Sequence, residues 1–296
     1  MSLQTQNHQS LPAYFDRMIE AFHAGTASRH AHLGHWNLDE RGTPIDNLNP
    51  GPDALERAQA RLNGEVIQRG NVVSGTRILD VACGFGGLAE ALGTMFHDLE
   101  ITGINIDLRQ LEICQRLQST KSNALRWQEA DACDLPFADA AFDTVFCIEA
   151  MFHFASRKRF LDEVRRVLKP GGTLVTTDIL LVQDPQMPQF CFDAMLNDGY
   201  GPWPDPWCEN GDAEDLLNAS AHWSNVQQYD ATQNTLPTYQ YIVPQTHFAQ
   251  GDSPTAGLHH RDPGDQAVRS AMMLHWLHQN GRLKYVYTSA VAGAES

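Results

Sequence analysis

Hydrophobic and polar positions follow a regular alternation between residues 76 and 182. Short runs that are almost entirely apolar, such as RILDVAC and AFDTVFCIEA, are each followed by a segment with one apolar face. In SRKRFLDEVRRVL the apolar positions share one helical face: Phe160, Leu161, Val164, Val167 and Leu168. Buried strands that alternate with amphipathic helices are typical of a parallel sheet covered on both faces. The pattern therefore predicts an α/β domain.

The sequence on either side of this region lacks the alternation of strands and helices. Residues 1–70 are predicted to be helical in PAYFDRMIEAFHAG and DALERAQARLNGEVIQRG, with a loop rich in Gly, Pro and Asn between them. Residues 182 to about 275 are aromatic and Pro-rich, and we expect an inserted lid that carries one further strand. The last helix and strand, AVRSAMMLHWLHQ and KYVYTSAVA, then complete the sheet. This divides the chain into an N-terminal helical segment, 1–70, and a domain, 71–296, with the lid at about 182–275.

Composition argues against several classes of function. The 296 residues include 21 basic and 36 acidic side chains, and a net charge of −15 disfavours DNA or RNA as a partner. No apolar run reaches the roughly eighteen residues of a membrane span. The six cysteines are scattered without a CxxC pair, and the N-terminus lacks the features of a secretory signal. We therefore expect a cytoplasmic protein with free thiols and no metal.

The stretch ILDVACGFGG leads from a predicted strand into a glycine-rich turn. Such a turn exposes backbone N–H groups and lets a ligand approach closely. The absence of a following GK[ST] excludes a phosphate-binding P-loop. Gly84, Gly86 and Ala89 also fit the GxGxxA pattern of dinucleotide sites, with Asp107 at about the expected distance. By itself the turn leaves open a dinucleotide site and a turn that holds no ligand.

Neighbouring motifs distinguish these alternatives. Asp80 lies four residues before Gly84, where a dinucleotide site needs no acid. EADACDLPF, FDTVFCIEAMFHF and VLKPGGTLVTTDI follow in order at strand–helix spacing. Together these motifs resemble the class I S-adenosylmethionine-dependent methyltransferases over roughly residues 75–182. The resemblance implies a Rossmann-like, mainly parallel seven-stranded sheet with helices on both faces, and S-adenosylmethionine as cofactor.

The same resemblance implies a set of cofactor-binding residues at the strand ends: Asp80, Ala82, Gly84, Gly86, Asn105, Ile106, Gln110, Asp131, Ala132 and Glu149. Asp80 would accept a hydrogen bond near the ammonium end of the methionine arm. Asp131 would bind the adenine amino group, although it is also suited to cap a turn. Asn105 occupies the position of the usual ribose-binding acid, as in a subgroup that methylates small molecules. Asp107 instead fits the N-cap of the next helix.

The segment AHLGHW, residues 31–36, resembles the HLGYW segment of natural-product methyltransferases, which commonly closes over the cofactor. His35 replaces the usual tyrosine, and a glycine turn with a packing Trp36 is an equal alternative. His30, His32 and His35 lack carboxylate partners at metal-ligand spacing, so we expect them to lie in a solvated loop.

A histidine and an aspartate are the candidate catalytic residues. His153 follows the fourth predicted strand and Asp178 ends the fifth, at the edge of the sheet where such folds bind ligands. A hydroxyl acceptor benefits from a general base, and a carboxylate can orient and polarise a histidine in that role. Matching positions carry His and Asp in sugar O-methyltransferases of the subgroup. The resemblance therefore implies that His153 is the base and that Asp178 orients it.

The sequence thus predicts O-methylation of a small, secondary-metabolite acceptor. Aromatic residues of the predicted lid would cover the acceptor or form the lid's own core: Phe190, Phe192, Tyr200, Trp203 and Trp207. N- or C-methylation, for example of a prenyl or polyketide carbon, remains an alternative, as do a non-catalytic binder and an NAD enzyme. The pattern carries no signal for the oligomeric state.

Overall fold

The computed structural model describes residues 11–12, 14–45, 53–182, 200–242 and 263–293, with side chains from residue 268 onward in the last range. The described strands are β1 (Arg77–Val81), β2 (Glu100–Asn105), β3 (Ala124–Glu129), β4 (Phe142–Ile148), β5 (Leu168–Leu181), β6 (Trp223–Asp230) and β7 (Leu283–Ala292). The helices are α1 (Tyr14–His23), α2 (Ala54–Arg69), α3 (Gly87–Met95), α4 (Leu108–Cys114), α5 (Arg157–Val167), α6 (Ala213–Asn218) and α7 (Pro263–Gln279). Shorter helical turns span Met151–His153, Thr232–Thr235, Leu236–Thr238 and Tyr239–Ile242.

The strands form one seven-stranded sheet in the order β3-β2-β1-β4-β5-β7-β6. β1 to β5 are parallel, and β7 runs antiparallel to both of its neighbours. This confirms the predicted mainly parallel, seven-stranded sheet. The chain builds outward from β1 through β2 to β3, and then returns to place β4 on the other side of β1. Connections therefore leave β1 and β4 in opposite directions, which opens a crevice at their carboxyl ends.

Helices cover both faces of the sheet, as predicted. On one face, Leu62 and Val66 of α2 pack with Ile78 of β1 and with apolar residues of α3 and α7. On the other face, Phe160 and Val164 of α5 pack with residues of β1, β4 and α6. Burying each large side chain stabilises the fold by about 1.5–3 kcal/mol. The two cores fix the positions of the strand ends, where the cavity described below lies.

The KPGG segment is part of a strand rather than a separate turn. It lies inside β5, where Leu168 pairs with Phe142 and Thr173 pairs with Thr144. The extra residues on β5 form a bulge, and Gly171 in this bulge has a φ of +81°, which a residue without a Cβ adopts easily. The apolar run after KPGG begins the regularly paired part of β5. The hydrophobic pattern therefore located this paired part but not the start of the strand at Leu168.

β3 was not predicted from the hydrophobic pattern. It forms one edge of the sheet, and most of its side chains are exposed or half-buried. An edge strand with little buried surface carries no apolar run. Only its pairing with β2, from Glu100↔Ala124 to Asn105↔Glu129, defines it as a strand.

The predicted lid region contains parts of the sheet and its core. β6 pairs with β7 at the second edge of the sheet, and Trp203 is buried with its ring 4.7 Å from that of Phe152. Phe190 and Phe192 lie outside the described residues, and the lid boundaries remain a prediction. Across the described ranges, none of the helices combines the length and the apolar character needed to cross a membrane.

Candidate active site

A cavity of about 800 Å³ opens at the carboxyl ends of β1, β2 and β4. The structure brings most of the predicted site residues together in its lining: Asp80, Ala82, Gly84, Asn105, Ile106, Gln110, Asp131, Ala132, Glu149 and His153. Gly86 and Asp178 do not line it. Residues of α1 also reach the cavity, which the sequence pattern did not predict, and so do Arg29, Ala31 and His32 at the AHLGHW segment.

The glycine-rich turn after β1 needs backbone conformations that most residues avoid. Ala82, Gly84 and Gly86 have φ values of +56°, +54° and +82°. Gly86 is the N-cap of α3, and a Cβ added there would lie 3.3 Å from the Trp127 ring. A Cβ on Gly84 would lie 3.3 Å from the Cβ of Ala31. Gly86 thus shapes the turn from behind, while Gly84 exposes its backbone to the cavity.

Asp80 contributes a carboxylate to the floor of the cavity. It is 2% exposed, and its Oδ2 atom is buried without a hydrogen-bond partner in the described part of the chain. Burial raises the pKa of this carboxyl group to about 7. Leaving a buried polar atom unpaired is costly, so this site is suited to a ligand that donates hydrogen bonds or carries positive charge.

A hydrogen-bonded group follows β2. The side-chain amide of Asn105 donates to Gln110 Oε1 at 3.1 Å, and Asn105 Oδ1 accepts from the Asp107 N–H at 3.0 Å. Asp107 caps α4 by accepting from the Arg109 N–H at 3.0 Å and forms an ion pair with the Arg109 side chain. The predicted N-cap role of Asp107 is confirmed, and Asn105 lies at the cavity wall with its orientation held by this group.

Asp131 lies at the end of the cavity nearest β3. Its Oδ1 atom accepts a hydrogen bond from the Cys133 N–H at 2.8 Å, so the turn cap that we considered as an alternative is formed. The carboxylate is exposed and still lines the cavity, as does Ala132. Capping and ligand contact are therefore compatible at this residue.

His153 ends a short 3₁₀ turn after β4, and both of its ring nitrogens are paired. Nδ1 lies 2.8 Å from the Pro202 carbonyl oxygen, and Nε2 lies 2.9 Å from the Tyr14 hydroxyl. A carbonyl oxygen can only accept, so Nδ1 carries the proton, Nε2 is the acceptor, and the Tyr14 hydroxyl donates to it. Burial lowers the pKa of His153 to about 4. The imidazole is therefore neutral near pH 7.

The predicted contact between His153 and Asp178 is wrong. Asp178 Oδ2 instead accepts from Arg157 Nε at 2.9 Å in an ion pair whose side chains are 1% and 5% exposed. The Arg157 guanidinium places a full positive charge beside the buried carboxylate, which offsets the cost of burying that carboxylate. Arg157 Nη1 also donates to the Asp205 carbonyl at 2.8 Å, three residues from the Pro202 carbonyl that holds His153.

Glu149 lies between the two ends of the cavity in a strained backbone conformation, with a φ of +50°. Its N–H donates to Thr177 Oγ1 at 2.8 Å. Its Oε2 atom accepts from the Leu33 N–H and the Tyr285 hydroxyl, both at 2.9 Å. Burial is the main cause that raises the pKa of Glu149 to about 7. One carboxylate oxygen is thus held by the protein, while the side chain lines the cavity.

Comparison with known proteins identifies the family. A family model described as a methyltransferase domain matches residues 79–176. O-methyltransferase cnsE of Penicillium expansum is 31% identical over 212 residues, which make up 70% of each chain. The chain belongs to the class I S-adenosylmethionine-dependent methyltransferases.

Two further matches agree with this family. O-methyltransferase rstn1 of Aspergillus nomiae is 39% identical over 152 residues, which are 51% of this chain and 63% of that relative. The chain therefore spans less than two thirds of that relative's length. The crystal structure of the [4+2]-cyclase SpnF superposes with a TM-score of 0.68 at 21% identity, covering 96% of this chain and 94% of that chain. The match to SpnF shows a shared fold.

The residues at the cavity fit S-adenosylmethionine, the cofactor of this family. Its methionine arm carries both an ammonium and a carboxylate. Asp80 offers an unpaired acceptor, and Arg29 is the single Lys or Arg side chain among the described lining residues. Asp107, which a dinucleotide site would use for its ribose, is occupied as a helix cap. The residues thus support the methyltransferase assignment over the dinucleotide alternative.

The AHLGHW segment is packed rather than solvated, which corrects the prediction for its histidines. His35 Nδ1 lies 2.8 Å from the Tyr287 hydroxyl, and burial lowers the pKa of His32 to about 3. Trp36 is fully buried and its indole N–H donates to Thr238 Oγ1 at 3.0 Å. Within the described ranges, no group of three or more His, Cys, Asp or Glu side chains is arranged to hold a metal ion.

The same segment also lies over the glycine turn. Arg29 Nη1 donates to the Phe85 carbonyl at 2.9 Å, and Ala31 lies against Gly84. The HLGxW resemblance identified this segment but not which side chains line the cavity. Tyr14 had no sequence signal beyond its place on an amphipathic helix, because its contact with His153 spans 139 residues.

Proposed function

We propose that this protein transfers a methyl group from S-adenosylmethionine to a hydroxyl group of a small-molecule acceptor, with His153 as general base. The observation that supports this most directly is the Tyr14 hydroxyl, which donates to His153 Nε2 at 2.9 Å. A hydroxyl at this position marks where an acceptor hydroxyl can bind. The names of both curated relatives, each an O-methyltransferase, agree with this reaction.

The protonation state of His153 suits the role of base. When bound, S-adenosylmethionine supplies a methyl group activated by a sulfonium. An acceptor hydroxyl that replaces the Tyr14 hydroxyl donates its hydrogen bond to Nε2. Methyl transfer to the acceptor oxygen would break the methyl–sulfur bond and leave S-adenosylhomocysteine, and the proton of the acceptor hydroxyl would pass to Nε2. The Pro202 carbonyl, which accepts from Nδ1–H, then stabilises the imidazolium that forms.

The surroundings of His153 favour an acidic hydroxyl as acceptor. The pKa of His153, about 4, makes it a weak base, and a phenol-like hydroxyl with a pKa near 10 gives up its proton far more readily than an aliphatic alcohol. Aromatic side chains surround the histidine: Tyr14 and Phe152 lie with ring centroids 5.9 and 4.2 Å from it. Tyr200 stacks on Tyr14 at 4.8 Å. We therefore propose a planar phenol or enol as the acceptor class.

In this proposal Asp178 is a positioning residue. It holds Arg157, and Arg157 holds the Asp205 carbonyl, so the loop that carries the Pro202 carbonyl is fixed from the buried side. The Pro202 carbonyl in turn selects the tautomer of His153. Asp178 thus acts on the base through the loop rather than by direct contact.

We further propose that the reaction takes place in the cytoplasm. The neighbouring Cys114 thiol and burial raise the pKa of Cys83 well above its usual value. Both residues are free thiols, which is typical of a reducing compartment. The net charge of −15 supports a small-molecule acceptor rather than a nucleic acid.

The test is an acceptor screen with matched pairs. Phenols, enols, anilines and activated-carbon compounds are incubated with the protein and S-adenosylmethionine, each beside an analogue in which the reacting group is blocked. We expect S-adenosylhomocysteine to form with a hydroxyl compound and not with its methyl ether. Turnover that is restricted to nitrogen or carbon acceptors would contradict O-methylation. Cofactor binding without turnover on any acceptor would favour the non-catalytic alternative.

A further inference from the structure

Three buried hydrogen-bond acceptors at the cavity have no partner in the described part of the chain. They are Asp80 Oδ2, His32 Nε2 and Asn63 Oδ1, and all three residues line the cavity. Buried polar atoms of native proteins are nearly always paired, so such a cluster calls for a ligand. Because each atom accepts, the missing group must donate hydrogen bonds.

His32 can serve only as an acceptor at Nε2. Its Nδ1 atom lies 2.7 Å from the Leu33 carbonyl oxygen, which requires the proton on Nδ1. Burial lowers the pKa of His32 to about 3, so the ring is neutral near pH 7. The Asn63 amide nitrogen lies 3.0 Å from His30 Nδ1, and the Asn63 side chain also faces His32, so the two open acceptors are neighbours.

The fold brings the three residues to one end of the cavity. Asp80 is on the same face of β1 as Ile78, whose side chain packs among those of α2. Asn63 lies on the buried side of α2. His32 follows Ala31, which lies against Gly84, and precedes Leu33, whose N–H donates to Glu149. Since β1 and β4 are neighbours in the sheet, His32 lies over the carboxyl end of β1.

We propose that His32 and Asn63 join Asp80 to bind the α-ammonium of the cofactor's methionine arm. An ammonium carries three N–H donors, one for each acceptor, and its positive charge offsets that of the Asp80 carboxylate. Arg29 then lies at the same end of the cavity to attract the carboxylate of the arm. The inference rests on the cofactor of the family and not on the choice of acceptor.

This site links cofactor binding to the N-terminal segment. His32 belongs to the segment that packs on the glycine turn and donates Leu33 N–H to Glu149. An ammonium held between β1, α2 and this segment fixes the segment in place. The methionine arm and the Glu149 side chain are therefore linked through this segment.

The experiment compares three ligands by calorimetry with the intact protein. The ligands are S-adenosylhomocysteine, its deamino analogue and its decarboxy analogue. We expect wild-type protein to bind the deamino analogue at least about tenfold more weakly than it binds S-adenosylhomocysteine, because tenfold is the scale of one hydrogen bond to a charged group. His32→Leu and Asn63→Leu should weaken S-adenosylhomocysteine and the decarboxy analogue by about ten- to a hundredfold, and leave the deamino analogue unchanged.

Controls separate ligand contact from misfolding. His32→Gln keeps an acceptor oxygen and should recover part of the affinity, while the exposed His97→Leu should change nothing. Hydrogen exchange should show that S-adenosylhomocysteine protects the amides of residues 29–33 more than the deamino analogue does. The ammonium site would be overturned if the His32→Leu and Asn63→Leu variants lost the same affinity for all three ligands. It would also be overturned if affinity were lost only for the two ligands that carry the carboxylate. Failure of wild-type protein to bind S-adenosylhomocysteine would overturn the cofactor site itself, whichever acceptor is used.

Discussion

The cavity has a cofactor end, lined by Asp80, Asn105 and Asp131, and an acceptor end around His153. These two ends are built in different ways. On the β2 and β3 side of the cofactor end, side chains are held by neighbours in sequence: Asn105 bonds to Asp107 and Gln110, and Asp131 bonds to Cys133. At the acceptor end, the contacts join distant parts of the chain. Tyr14 and His153 are 139 residues apart, Leu33 and Glu149 are 116 apart, and Tyr285 and Glu149 are 136 apart.

This difference predicts how each end responds to substitution. Local turns and caps form wherever the strand–turn–helix unit forms, so the Asn105 and Asp131 side of the cofactor end depends mainly on the sheet. The acceptor end needs α1, the loop around Pro202 and β7 to be in place together. Variants of the acceptor end should therefore change turnover while cofactor affinity persists, and variants of the cofactor end should do the opposite.

The largest effect is expected for His153→Ala. Removing the general base should lower kcat by about 10²–10⁴-fold with a hydroxyl acceptor identified by the screen. The affinity for S-adenosylhomocysteine should stay within about twofold, because the cofactor end keeps all its contacts. Single-turnover kinetics and calorimetry measure the two quantities. A near-normal kcat would show that His153 is not the general base. It would also contradict the prediction that the acceptor end controls turnover separately from cofactor affinity.

Asp178→Ala should be the most destabilising single change at the acceptor end. It leaves the Arg157 guanidinium buried without its counter-charge, which costs about 3–5 kcal/mol of unfolding free energy. Urea denaturation measures this loss, with Asp162→Ala, which removes an exposed carboxylate paired with Lys158, as control. The double variant Asp178→Ala with Arg157→Met should recover much of the stability. A stable single variant would mean that the ion pair does not hold this end together.

Cofactor affinity should depend on pH through Asp80. Its pKa in the free protein is raised to about 7, and binding an ammonium requires the charged carboxylate. Affinity for S-adenosylhomocysteine should therefore be constant above pH 7 and fall by about tenfold per pH unit below it. Calorimetry between pH 5 and 8 tests this. Asp80→Asn should bind weakly with a flatter profile, and an equally steep profile in that variant would assign the titration to another group.

Tyr14→Phe should have the smallest effect of these substitutions, and that effect should be confined to binding of the acceptor. The Tyr14 hydroxyl competes with the acceptor for His153 Nε2, so its removal should lower KM for the acceptor by about fivefold, the value of one neutral hydrogen bond. We expect kcat and cofactor affinity to remain close to wild type. The exposed Tyr229→Phe is the matched control. A large fall in kcat would instead show that the Tyr14 hydroxyl takes part in the reaction.

Much of the cofactor end could be predicted because its signals are local. The apolar run before Asp80, the glycines after it and the N-cap at Asp107 are adjacent in the sequence. Each local unit has one favourable conformation, so the pattern identifies both the element and the side chains at its end. The same rule explains why β3 was missed: an edge strand buries too little apolar surface to leave a pattern.

The pairing of His153 shows what local patterns do not contain. Its place after β4 could be predicted, but Asp178 was the only partner suggested by the sequence. The structure supplies Tyr14 and the Pro202 carbonyl instead, and directs Asp178 to Arg157. The choice depends on the cost of burying charge, and burial is a property of the packed molecule.

The sequence by itself determined the α/β alternation, the glycine turn and the polar residues at the strand ends, since each follows from periodicity or from backbone conformation over a few residues. Only the tertiary structure decided which acceptors remain unpaired, which tautomer His153 adopts and that residues 29–33 lie over β1. Hydrogen bonds over more than 100 residues and the desolvation of buried charges arise only when the layers pack together. The local sequence therefore carries no signal for them.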